Sequence, residues 1–184
     1  ANIENVGSNA FVGCSNVSSA VAPIKALACI PENNLTSLTI TSGNKLQASD
    51  LARFVKLTEV AIPSSVVEFG ENLFANATDL NKVAYDGTLV DWCGIVFEAA
   101  TSNPLYYTKN VYINNQQIGT KVDIASEVSS LSNYAFVNLD GLTEISIHSA
   151  IQSVGENAFY GAISRRWNFL FQHWLVLIRR NWNR

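Results

Sequence analysis

Two histidines, His148 and His173, and three cysteines, Cys14, Cys29 and Cys93, are all the imidazole and thiol in this 184-residue chain. Acyl transfer needs a Ser or Cys nucleophile held beside an imidazole, and a zinc centre needs several nitrogen or sulfur ligands at short spacing. The cysteines are widely separated along the chain, with no CxxC pair, and no GxGxxG, P-loop or GxSxG motif occurs. Carboxylates fall singly at scattered positions, the pattern of a solvated face and not of a general acid/base pair. The chain is therefore expected to be no enzyme, with no catalytic residue, no metal ligand and no cofactor. The three cysteines are expected to be small buried hydrophobes.

What remains is chemistry of recognition. Trp92, Tyr106, Tyr107 and Tyr112 concentrate aromatic surface in one short stretch of chain, and aromatics are enriched among contacts that carry binding energy. A mini-core of their own is the competing expectation. Glu59, Lys82, Asp86, Lys121, Asp123, Glu144 and His148 flank short apolar alternations and are expected to point outward beside them. Three Asn-x-Ser/Thr sequons (Asn16, Asn34, Asn76) are adequately explained by chance.

Residues 1–162 hold 7 Lys/Arg against 15 Asp/Glu, a net charge of −8. An acidic body is a poor match for nucleic acid, which attracts basic surface. With 48% hydrophobic and 15% charged residues the chain is long enough and apolar enough for one continuous core. No Met occurs, even at position 1, as expected of a fragment or a processed chain whose signal peptide is no longer visible. The apolar run Phe169 to Ile178 is too short for a membrane-spanning helix.

The elements that must position these residues are repeated. Leu35-x-x-Leu38-x-Ile40, Leu57-x-x-Val60-x-Ile62, Leu80-x-x-Val83-x-Tyr85 and Leu142-x-x-Ile145-x-Ile147 share one line, with Val122-x-Ile124 a shorter version. Period-2 alternation places each apolar pair on one face of a short strand. A second line, Val-Gly-x-x-Ala-Phe, recurs around Gly7, Gly70 and Gly155, where the glycines are expected to supply turns at positive φ. Phe11, Phe74, Phe136 and Phe159 are expected to stack as an aromatic column. Ala20, Leu38, Val60, Val83, Val122 and Ile145 are taken as equivalent. The steps Leu38 to Val60, Val60 to Val83 and Val122 to Ile145 are then nearly equal, Ala20 to Leu38 is shorter, and Val83 to Val122 is far longer. A Leu-rich line recurring about every 23 residues predicts a leucine-rich-repeat solenoid: β-rich, with short parallel strands, turns and 3₁₀ or short helical pieces. The long step carries an insertion over about residues 86–118, in which Val111-Tyr112-Ile113-Asn114-Asn115 reads as a strand entering a hairpin turn.

These lines resemble the BspA-type leucine-rich repeat, roughly Leu-x-x-Val-x-Ile-Pro-x-x-Val-x-x-Ile-Gly-x-x-Ala-Phe-x-x-Cys, which Leu57 to Gly70 follows closely. The resemblance covers residues 3 to 162 and extends to the insertion, with its Asp91-Trp92 and Asn103-Pro104-Leu105-Tyr106-Tyr107 elements. Departures such as Leu51, Leu73, Phe54 and Ala77 are apolar swaps that fill core volume. The family's proteins are secreted or surface-attached in bacteria and some protists, so the resemblance implies binding or adhesion to extracellular or host proteins. A spacer or stalk without a ligand is the competing reading, and weak carbohydrate binding through the insertion's aromatics a third.

Residues 163–184 stand apart, with three of the four Trp, five of the six Arg and no acid. Read two bases out of frame, degenerate codons for Gly161 to Leu170 permit Gly-Cys-Asn-Leu-Thr-Ser-Val-Glu-Leu-Pro, nearly the family's next strand line. A frame-shifted or otherwise non-native terminus is the preferred reading. An interfacial helix and a cap for the end of the array are the alternatives. An uncovered end would also invite self-association, because unpaired strand edges pair readily.

Overall fold

The computed structural model describes residues 6–7 and 10–162. Its strands run β1 Ser19–Ala22, β2 Ser37–Ile40, β3 Lys45–Leu46, β4 Glu59–Pro63, β5 Glu68–Phe69, β6 Lys82–Asp86 and β7 Val96–Phe97, then β8 Val111–Ile113, β9 Gln116–Gln117, β10 Lys121–Asp123, β11 Ser130–Leu131, β12 Glu144–Ser146 and β13 Ser153–Val154. Two short helices, α1 Ala48–Leu51 and α2 Leu89–Gly94, and 3₁₀ turns at Ile24–Cys29, Ala100–Ser102 and Pro104–Tyr106 complete it. A front sheet has the order β1-β2-β4-β6-β8-β9, parallel except for the last pair. A rear sheet has the order β3-β5-β7, and β10-β12 and β11-β13 form two further parallel pairs.

The apolar pairs of the strand line do what their alternation predicts. Ala20, Leu38, Val60, Val83 and Val111 are register partners in turn, and all but the first are buried to 2% exposure or less. No single unit could cover such a face; each is sealed by the next. The strand starts are tied by a repeated threonine. The Thr36 carbonyl accepts from the N–H groups of Thr58 and Glu59 at 2.8 and 3.1 Å and from Thr58 Oγ1 at 3.0 Å. Ser18 with Thr36, and Thr120 with Thr143, repeat the arrangement.

The insertion departs from expectation. Val83 is in register with Val111 and not with Val122. Phe69 likewise pairs with Phe97. The segment after β6 is thus an enlarged repeat unit that adds strands to both sheets. β8 and β9 then form the expected hairpin, with Asn114 and Asn115 in the left-handed region at φ 47° and 61°.

The glycines of the second line do not act as expected. Among the described glycines, positive φ falls at Gly13, Gly43, Gly141 and Gly161, and not at Gly70 or Gly155. A Cβ at Gly155 would lie 2.3 Å from the Asn133 nitrogen and 2.4 Å from the Ser132 carbonyl carbon, so Gly is needed there because backbones approach closely. The left-handed residue comes two positions later, at Asn72 and Asn157, and at Tyr134 in the unit where Ser132 stands in place of the glycine. The aromatic column is also shorter than expected. Phe136 and Phe159 stack at 5.3 Å and Phe74 meets Tyr107 edge-on at 5.9 Å, but Phe11 is 41% exposed. Of the cysteines only Cys93 is buried; Cys14 is exposed and Cys29 intermediate.

Candidate functional site

The front sheet presents one solvent face built by register. Because side chains alternate along each strand, residues between the buried positions share that face. Its central row runs Val21, Thr39, Ala61, Ala84 and Tyr112, each opposite the next on the neighbouring strand. A second row runs Ser19, Ser37, Glu59 and Lys82, and Pro63 pairs with Asp86 on the other side. The result is a strip of small or apolar side chains closed at one end by a tyrosine ring and bordered by Glu59, Lys82 and Asp86. Lys82 Nζ lies 5.0 Å from the centre of the Tyr112 ring, a cation–π contact that holds the ring against the sheet.

Of the candidate residues, Glu59, Lys82, Asp86 and Tyr112 are brought together here. Lys121, Asp123 and Glu144 lie on the separate β10-β12 pair, where Lys121 Nζ and Glu144 Oε2 are 2.7 Å apart. That hydrogen bond raises the lysine's pKa above its ordinary value. His148 is partly exposed: its Nδ1 accepts from the Ala150 N–H at 3.1 Å, and its Nε2 is buried with no hydrogen-bond partner among the described residues.

Trp92 is corrected from contact residue to core residue. Thr88 and Asp91 cap α2 reciprocally, Thr88 N–H donating to Asp91 Oδ2 at 2.8 Å and Asp91 N–H to Thr88 Oγ1 at 3.2 Å. The next residue, Trp92, is thereby turned inward and is 0% exposed. Its Nε1–H donates to the Ala135 carbonyl at 2.8 Å. The same carbonyl accepts from Asn103 Nδ2 at 3.0 Å, and the Tyr134 carbonyl from Asn103 at 2.9 Å. Through these bonds, and Ser132 N–H and Oγ donating to the Cys93 carbonyl, the insertion joins the units before it to those after it. Burial pushes the Cys93 thiol, and the Tyr85 hydroxyl beside Trp92, each up to about 12.

Tyr106 is 48% exposed, while Tyr107 is partly buried, its hydroxyl donating to the Thr101 carbonyl at 3.0 Å. Their rings meet edge-on at 67°, so they make no flat platform. Nearby a cleft of about 290 Å³ is lined by Leu105, Lys109, Gln117, Thr120, Asn138 and Asp140. Among the described residues no group of three His, Cys, Asp or Glu could hold a metal ion, and no helix is long and apolar enough to cross a membrane.

Reading the sequence missed the continuity of the central row, since Tyr112 was assigned to the insertion and not to the sheet. The signal was present: Val111-Tyr112-Ile113 has the alternation of Val60-Ala61-Ile62, which puts Tyr112 where Ala61 and Ala84 stand. It also missed Asn103, a buried polar side chain (0% exposed) whose partners are backbone groups far along the chain, at Tyr134 and Ala135.

No curated protein matches the chain. A leucine-rich repeat protein from Bacteroides ovatus ATCC 8483, solved by crystallography at 1.19 Å resolution, is similar over 84% of this chain at 15% identity and a TM-score of 0.35. The aligned region spans 49% of that protein, so this chain corresponds to about half its length. The model of the BspA-type leucine-rich repeat region matches residues 1–103 and 107–172 in six copies. With the regular register of its parallel strands and the Gly-x-x-Ala-Phe line that stacks beside them, the chain belongs to the BspA-type leucine-rich repeat family.

Proposed function

We propose that this array is a non-enzymatic binding module of a secreted or cell-surface protein, adhesin-like, which engages extracellular or host proteins through the solvent face of its front sheet. Family membership supports a protein-interaction role, since BspA-type repeats are generally surface interaction modules. The observation that carries the choice of face is the unbroken in-register row Val21, Thr39, Ala61, Ala84 and Tyr112, bordered by charged side chains of both signs. An apolar centre with a polar rim is the anatomy of a protein interface. Ala61 and Ala84 keep the centre flat enough for a partner's backbone to approach.

Ala61→Arg with Ala84→Arg places two long cations on that row without touching the buried face. Val67→Arg, at a half-exposed rear position, is the control. In cross-linking against serum and cell-surface extracts, a protein captured by the wild type and the control but lost by the double variant supports the reading. Equal capture by all three sinks it.

A second reading, a spacer segment of a larger surface protein, is favoured by one observation: Trp92, the largest aromatic of the insertion, serves the core. On that reading the double arginine variant captures nothing less than wild type, because nothing specific is captured at all. The carbohydrate reading loses its main support for the same reason.

A further inference from the structure

Positions buried in the interior units are left part-open in the last one, as Ala20 and Phe11 are in the first. Ile145 and Ile147 are only partly buried, whereas Val60, Ile62, Val83, Tyr85, Val122 and Ile124 are all 5% exposed or less. Val154 and Phe159 are likewise part-open, against 0% for Phe69 and Phe136. Tyr160 is 67% exposed. One face of the Phe159 ring stacks on Phe136 at an interplanar angle of 7°, and among the described residues no ring meets its other face. β12 and β13 each have a strand on one side and, among the described residues, none on the other. A polar group points the same way: His148 Nε2 is buried and has no partner among the described residues, while Nδ1 accepts a backbone N–H. Nε2 therefore carries the proton and needs an acceptor.

We propose that residues 163–184 of the same chain cover this end as a cap, distinct from the sheet face proposed for binding. Three features select this occupant. The described chain stops at Ala162, which is 0% exposed and lies in the last unit itself, so the following residues emerge at the open end with no span to cross. They bring Trp167, Phe169, Leu170, Phe171, Trp174 and Leu175 to an apolar face. And the charges match: residues 140–162 hold Asp140, Glu144 and Glu156 with no Lys or Arg, whereas residues 163–184 hold five Arg and no acid. A repeat array needs its terminal apolar surface covered to stay soluble, whichever reading frame produced the segment.

Hydrogen exchange on the full chain tests this, reading peptides 144–147 and 153–159 against the reference strand 59–63. The expected result is protection at the end unit that is the same at about 1 and about 100 μM protein and falls by roughly tenfold or more in Trp167→Ser with Trp174→Ser, the reference strand unchanged. Trp167→Phe with Trp174→Phe keeps the ring area and retains protection. Should the serine variant also expose the reference strand, Arg165→Glu with Arg166→Glu replaces it, and opposing Asp140, Glu144 and Glu156 it deprotects only the end unit. Unchanged exchange in the serine and glutamate variants overturns the proposal. So does protection that appears only at the higher concentration, since a second copy is then the cover.

Discussion

Replacing Trp92 by Phe asks directly whether the insertion is built into the core. The indole packs against Tyr85 with ring centroids 5.6 Å apart and against Phe97 at 5.4 Å, and its Nε1–H reaches the Ala135 carbonyl at 2.8 Å. Phe keeps the ring contacts but removes the pyrrole edge and the donor. Losing on the order of 40 Å² of buried apolar surface at about 25 cal/mol per Å² costs about 1 kcal/mol. The lost hydrogen bond adds about 1 kcal/mol more. No orphaned-acceptor penalty follows, because Asn103 still donates to that carbonyl at 3.0 Å. The expected loss is therefore about 2 kcal/mol, against roughly 3–5 kcal/mol for Trp92→Ala. Urea denaturation followed by far-UV circular dichroism measures it, as a shift in midpoint at constant slope. Adding Asn103→Ala leaves the Ala135 carbonyl without either donor, so the double variant loses about 1 kcal/mol more than the sum of the singles. A Trp92→Phe variant within about 0.5 kcal/mol of wild type refutes the core assignment, as surface substitutions commonly fall in that range.

Three further outcomes are expected. Gly155→Ala forces a Cβ to 2.3 Å from a backbone nitrogen and lowers stability by about 2 kcal/mol or more, while Gly70→Ala, whose nearest contact is 3.2 Å, loses less; urea midpoints rank them. Lys45 bonds both Glu68 and Glu98, the latter at 2.7 Å, which raises the lysine's pKa above 10.5 and lowers that of Glu98 below 4.5. The Glu98 contribution is present above 4.5 and lost as pH falls through its lowered value; the Lys45 contribution is present below 10.5 and lost as pH rises through its raised one. Lys45→Met is thus expected to be less stable than wild type at pH 7 and equal to it near pH 2, a persistent difference there counting against the assignment. Iodoacetamide at pH 8 is expected to label Cys14 and spare Cys93, whose thiol is buried and pushed up to about 12; mass spectrometry of the folded protein reads this, and labelling of Cys93 before Cys14 contradicts it.

Much of the candidate face was legible before any coordinates, because alternation along Glu59 to Pro63 and Lys82 to Asp86 already separates inward from outward residues. The sequence by itself determined the strand lines, their regular recurrence, the Asn114-Asn115 turn and the family, since each is local chemistry repeated at a fixed distance. The tertiary structure alone decided how the irregular parts meet. Register placed Val111, and not Val122, beside Val83, which turned Tyr112 from an insertion residue into the end of a continuous row. Packing drew Trp92 inside because the distant Ala135 carbonyl accepts its N–H. Close stacking, and not positive φ, demands glycine at Gly155, because the contact that excludes a Cβ comes from the neighbouring unit's backbone. Exposure of Phe11 and Cys14 follows from the same cause: a residue of core type is buried only where a neighbouring unit is stacked over it.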